Sequence, residues 1–222
     1  MLLLAAMLCL GQDYPHAFPR EGTVKLFDNE RITVWEVVWK KGVAQPYHRH
    51  RYDMAGVYLR YGPILVTRLD GTSTAPARYD PPRPYFQLKG VTHKEEASAD
   101  PNAPEQLAIM IDLKDHDVPA FENRLKLEPA FPREGAADVL DNARIRMWSY
   151  QWTANRPVGK HVHDKDSVEV FYEPGTLHTT FDDGREETKA VAFKDARFIP
   201  RGRVDSESVV SGSPKAIVVE LK

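Results

Sequence analysis

Cysteine is nearly missing from this chain. The only one, Cys9, lies in an apolar start. If that start is removed, the mature chain has none. This excludes intramolecular disulfides and thiolate chemistry, and leaves only nitrogen and oxygen donors for any metal. Long hydrophobic runs are scarce too. After the first dozen residues no stretch approaches the ~20 apolar residues of a membrane-spanning helix, so no stable membrane insertion is expected after leader cleavage. Neither sign of charge dominates: 30 Lys and Arg face 32 Asp and Glu, a formal net charge of −2. No basic run tracks a phosphate backbone, which argues against nucleic acid as a partner. Helical periodicity is rare, and Glu122 to Leu127 is the best candidate helix.

The amino-terminal segment stands apart. Met1 to Leu10 is almost wholly apolar and Gly11 follows, so residues 1–12 read as a signal peptide, although no Lys or Arg precedes the run. That reading sends the protein to the periplasm or the exterior. A cytoplasmic location follows if the segment is instead a strand of the first domain. A lipid anchor on Cys9 is weaker, because Leu8 stands where a small residue is expected.

What the chain does have is itself, twice. Ala17-Phe18-Pro19-Arg20-Glu21-Gly22 recurs as Ala130-Phe131-Pro132-Arg133-Glu134-Gly135, an offset of 113 residues. In the same register Trp35 meets Trp148, Trp39 meets Trp152, His48 and His50 meet His161 and His163, and Asp53 meets Asp166. Chance does not align two Trp and two His in this way, so the chain is a duplication. Two units make either two homologous domains or one pseudo-symmetric body, with units at 13–118 and 119–222. Asp115 to Pro129, charged and proline-bearing, is the expected junction.

Each unit reads as β structure. Arg31 to Trp39 and its copy Arg144 to Trp152 are β-branched and aromatic. Further short apolar runs are punctuated by Asp-Asn, Asp-Gly and proline. Many short, closely spaced strands indicate an all-β sandwich or barrel. Trp35 and Trp39 share a strand face, as do Trp148 and Trp152. They are expected in the core, with a sugar-stacking platform as the alternative.

His48 and His50 are two apart and so project from one face of a strand. Their rings can converge on one ion if a third ligand arrives from another strand. His93 lies in a polar segment downstream and is the candidate. The second unit offers His161, His163 and Asp205. An aspartate is shorter than the histidine it replaces and is expected to fall short, leaving a degenerate site. Tyr47 and Tyr58 flank the first site and are weak candidates for proton donors. Glu95 and Glu96 are either acceptors behind His93 or, more simply, solvated surface.

This pattern resembles the cupin superfamily. Its first motif, a Gly followed by His-x-His and a later Gly, is met by Gly42, His48, His50 and Gly62. Its second, Pro-x-Gly-x-x-His, is met by Leu88, Gly90 and His93, with Leu in the proline slot. In the second unit His161, His163 and Gly175, then Pro200, Gly202 and Asp205, occupy the same places. The resemblance implies two tandem double-stranded β-helix (jelly-roll) barrels, a bicupin of unassigned reaction. The family's glutamate ligand is missing: its slot is Ala55 (or Met54) in the first unit and Val168 (or Ser167) in the second. The first unit then looks like a three-histidine centre, as in the thiol-dioxygenase branch. It would hold a divalent ion, Fe(II) first, with Zn, Mn or Ni compatible. The expected function is a metal-dependent small-molecule enzyme: an oxygenase, lyase or isomerase. The alternative is a non-catalytic, extracytoplasmic cupin binding a sugar or organic acid. The oligomeric state is expected to be monomer or homodimer.

Overall fold

The computed structural model describes residues 13–222, and the signal-peptide reading of 1–12, with Cys9, lies outside them. The amino-terminal unit contributes β1 (Thr23–Asp28), β2 (Ile32–Trp39), β3 (Gln45–Arg49), β4 (Asp53–Arg60), β5 (Ile64–Arg68), β6 (Ser73–Thr74), β7 (Arg83–Gln87), β8 (Thr92–Ala97) and β9 (Gln106–Leu113). The carboxy-terminal unit contributes β10 (Ala137–Asp141), β11 (Ile145–Gln151), β12 (Val158–Val162), β13 (Ser167–Phe181), β14 (Glu186–Val191), β15 (Ala196–Ile199) and β16 (Val204–Leu221). The protein is all-β, with no helix among the described residues. The expected helix at Glu122 to Leu127 is a turn instead. The side chain of Asn123 accepts from the Leu127 N–H and donates to its carbonyl, and Lys126 sits at φ 53°. A side chain bonding nearby backbone competes with the helical ladder.

All ladder pairings are antiparallel and lie within one unit. The first unit has a sheet ordered β1-β2-β9-β4-β7 and a second ordered β3-β8-β5-β6. The second unit repeats this plan with fewer breaks. Its β13 corresponds to β4 and β5 joined, and β16 to β8 and β9 joined, so its strands form one continuous sheet of seven. In the first unit Gly62-Pro63 parts β4 from β5, and residues 98–105, with two prolines, part β8 from β9. Gly62 is needed for close approach: a Cβ there would lie 2.2 Å from the backbone nitrogen of Gln106.

Alternation along β2 and β9 explains how the units meet. Ile32, Val34, Ile109, Ile111 and Leu113 face out of the barrel, while Trp35, Val37, Trp39, Ala108 and Met110 face in. The outward set packs against Ile145, Met147, Val168, Ile217 and Val219 of the second unit in one buried cluster. These sheets are buried on both faces, which is why β9 is buried along its whole length. The rim repeats the duplication in ion pairs. Arg31 binds Asp166 at 2.6 Å, and its equivalent Arg144 approaches Asp53 at 3.3 Å. One buried apolar cluster therefore draws residues from both units.

Candidate metal centre

The first-unit histidines meet because of register. His48 and His93 are directly paired across β3 and β8, and directly opposed side chains lie ~5 Å apart. His50 follows two residues after His48, on the same face. All three are buried, with a nitrogen from each within 4.8 Å of the others. His50 Nε2 lies 3.4 Å from His93 Nε2. The Nδ1 of His48 is 2.9 Å from the Pro46 carbonyl and donates its proton there. That fixes the tautomer and leaves a buried Nε2 lone pair without a partner. A histidine so anchored is in the form that ligates metals. Burial pushes the imidazole of His48 down to about 4 and that of His50 to about 3, so both stay neutral at physiological pH. The donor set and the orphaned nitrogen fit a divalent ion.

The slot where the sequence resemblance calls for a carboxylate holds none here. Met54 points into the barrel and Ala55 into the cluster between the units. A carboxylate nevertheless reaches the site from β8. Glu95, two residues beyond His93 on the same face, has Oε1 3.6 Å from His93 Nε2. This corrects the solvated-surface reading, since Glu95 is buried. Its Oε2 accepts from Arg20 at 2.6 Å and from the Trp39 indole at 2.9 Å. Burial alone would raise its carboxyl, but the Arg20 charge holds it well below the usual range. Trp39, Trp35, Trp148 and Trp152 are all buried and each donates to a buried carboxylate, so none forms a sugar platform. The sequence held a signal for Arg20 and Glu95. Arg20 recurs as Arg133, which pairs with Glu207 at 3.0 Å, and Glu95 and Glu207 stand two residues after His93 and its counterpart Asp205.

Beside the histidines lies a small void of about 20 Å³, lined by His50, His93, Glu95 and Arg20, room for one water-sized body. A larger cavity of about 580 Å³ opens from His93 and Glu95 past Tyr58, Tyr79, Tyr85 and Gln106. That size suits a small organic molecule. Tyr58 belongs to this wall, and burial raises its hydroxyl well above the usual range, so it remains a proton donor. Tyr47 does not line it; its hydroxyl donates to the Arg68 carbonyl at 3.1 Å.

In the second unit the aspartate does reach. Asp205 is paired with His161 across β12 and β16, and its Oδ1 lies 3.1 Å from His161 Nε2 and 3.8 Å from that of His163. The expected shortfall is corrected by this direct opposition, which brings even a short carboxylate to the rings. Yet cations crowd the cluster. Arg203 binds Asp205, and an Arg133 nitrogen lies 3.4 Å from His161 Nε2. The interior is also filled. Tyr150 stands where the first unit has Val37, and a buried Glu169–Arg197 ion pair stands where it has Gly56 and Tyr85. The cavity beside His178 is bounded by Pro157 to Lys160 and Ser206 to Ser208, and touches neither His161 nor His163.

No protein-family profile and no curated protein sequence matches the chain. Solved structures do. A cupin 2 conserved barrel domain protein from Leptotrichia buccalis superposes with a TM-score of 0.55 at 12% identity, covering 90% of this chain and 88% of that one. AerE from Microcystis aeruginosa gives 0.62 at 9% identity, over 95% and 99%. Bacillus subtilis oxalate decarboxylase, described with Mn(II) centres, gives 0.59 at 13% identity, over 90% and 72%. At such identities the likeness establishes the fold.

Proposed function

We propose, from the premise that this chain belongs by its fold to the cupin superfamily, that it is a metal-dependent enzyme acting on a small molecule in its amino-terminal barrel. The observation that carries this is the buried trio His48, His50 and His93, with the orphaned Nε2 of His48, beside a cavity of substrate size. The reaction class is oxygenase, lyase or isomerase. Three neutral imidazoles leave a bound ion its full 2+ charge, which would polarise a substrate oxygen or activate water or O₂. Fe(II) and Mn(II) are the first ions to test, with Zn(II) and Ni(II) after them; the manganese named for the Bacillus neighbour keeps it beside iron.

The remaining work falls to the chain's own groups. Glu95, ionised and held by Arg20 and Trp39, sets a negative charge on the ion-facing side of His93, near its Nε2, where it would offset part of a bound cation's charge. Tyr58 supplies a protonated hydroxyl at the cavity wall. The carboxy-terminal barrel, filled by its own ion pair, buttresses the first across the shared core. Metal analysis of protein purified without chelator, with a His48→Ala/His50→Ala comparison, tests this. One ion per chain, lost in the variant, is expected. A metal-free protein of unchanged stability would refute the proposal and favour a non-catalytic binding protein.

A further inference from the structure

Where the larger cavity meets the small void, the fold leaves two polar atoms open. The first is Glu95 Oε1. Arg20 and the Trp39 indole both bond its twin, Oε2. Oε1 is 3.6 Å from His93 Nε2, too far for a hydrogen bond. The side chain keeps 10% of its surface open and lines both spaces. The second atom is the hydroxyl of half-buried Tyr58, on the same two linings. Tyr79 and Tyr85 spend their protons on the amide oxygens of Gln106 and Gln87. Tyr58 stacks with Trp39, Tyr79 and Tyr85, yet its hydroxyl has no partner among the described residues. Burial, with Tyr85 and the Glu95 charge close by, keeps that hydroxyl protonated.

A hydroxyl group is donor and acceptor on one atom. An open carboxylate oxygen beside an open phenol is its complement. Two arginines, Arg68 and Arg83, and two carboxylates, Asp70 and Glu95, line the cavity, so its formal charge selects no ion. Much of the remaining wall is apolar, with Ile64, Val66, Leu69 and Val91. We propose that this cavity takes an uncharged hydroxy compound, an alcohol or phenol, whose hydroxyl donates to Glu95 Oε1 and accepts from Tyr58 while its apolar body lies against the tyrosines. This rests on the amino-terminal barrel being the substrate site, as argued above. A carboxylate brings no proton for Glu95 and sets a like charge against it. An ammonium has no lone pair for Tyr58.

Calorimetric titration tests it, on protein as purified and after chelator treatment. Benzyl alcohol and phenol are compared with benzyl methyl ether and anisole, which keep the oxygen and lose the proton. In both forms each hydroxy compound is expected to bind about tenfold tighter or more than its ether, the worth of one hydrogen bond to a charged acceptor. In the stripped protein benzoate, benzylamine and glucose are each expected to bind more weakly than benzyl alcohol. Glu95→Gln leaves the amide oxygen to Arg20 and Trp39 and turns its NH₂ into the cavity, so the preference for alcohol over ether is expected to vanish. Tyr58→Phe keeps the ring and serves if the Glu95 change prevents folding. It is expected to weaken alcohol and ether alike, about threefold or more, and to keep their ratio. Equal affinity for alcohol and ether, tighter benzoate, benzylamine or glucose in the stripped protein, or unchanged alcohol affinity in Tyr58→Phe overturns the inference. The two proposals separate cleanly. Alcohol-selective binding by a protein that never carries metal sinks the enzyme reading and keeps this one. Stoichiometric metal with no preference for alcohol over ether does the reverse.

Discussion

Acid should destabilise the chelator-stripped protein through two named residues. Free histidine titrates near ~6.5, while burial holds His48 at about 4 and His50 at about 3. Below pH 6.5 the unfolded chain therefore binds protons that the folded chain refuses. The folded pKa is depressed, so the stabilisation is complete above the unfolded value and is lost as pH falls toward the folded one. Each such group contributes a slope of about 1.4 kcal/mol per pH unit in that window. From pH 7 to 4.5 each loses about 2.5 kcal/mol, and the pair about 5 kcal/mol, comparable with the whole stability of a marginal domain. The assay is urea unfolding at a series of pH values, followed by tryptophan fluorescence. The reference is a His48→Gln/His50→Gln variant, which cannot titrate there. The wild-type midpoint should fall steeply between pH 6 and 4.5, and the variant's much less. Equal slopes would show that these rings are solvated and charged in the folded state, and the metal centre would lose its physical basis. Saturating metal should flatten the wild-type curve, because ligation competes with protonation.

Further outcomes follow from the same geometry. His161→Ala should change metal content far less than His48→Ala, because Arg133 and Arg203 crowd the second cluster; equal losses in elemental analysis would reverse that assignment. Arg31→Ala strips Asp166 of its guanidinium partner and leaves the Arg201 N–H. For this half-buried pair at the junction the cost should be about 2 kcal/mol in denaturant unfolding, between exposed and fully buried cases; no change would mean the junction pair is solvent-screened. Ile109→Ala, fully buried in the shared core, should cost about 2–5 kcal/mol in the same assay; a loss below 1 kcal/mol would show that the two units do not pack as one body. Trp39→Phe keeps the ring but leaves Glu95 without one donor. It should cost about 1–3 kcal/mol in thermal or urea unfolding, and a neutral result would show that Arg20 alone satisfies the carboxylate.

The duplication, the β class and the histidine trio were legible because each depends on local spacing. A strand alternates faces every residue, so His48-x-His50 had to share one, and a repeat at constant offset is visible without any fold. Asp205 and Glu95 were misjudged for the opposite reason. Whether an aspartate reaches depends on which residue of another strand lies opposite it. Whether Glu95 is solvated depends on Arg20, 75 positions away. The fate of Asp53 and Asp166 likewise depended on arginines of the other unit.

The sequence by itself determined two copies of one β unit and the residue types able to hold a cation, since periodicity and spacing are properties of the chain alone. Only the tertiary structure decided which barrel is hollow. In the second, Tyr150 and the Glu169–Arg197 pair occupy the interior, whereas in the first a cavity opens beside Tyr58, Tyr79 and Tyr85; volume inside a barrel is set by side chains from strands far apart in sequence. It also decided which buried polar atoms lack partners, His48 Nε2 among them, because a hydrogen bond exists only between atoms the fold has brought together.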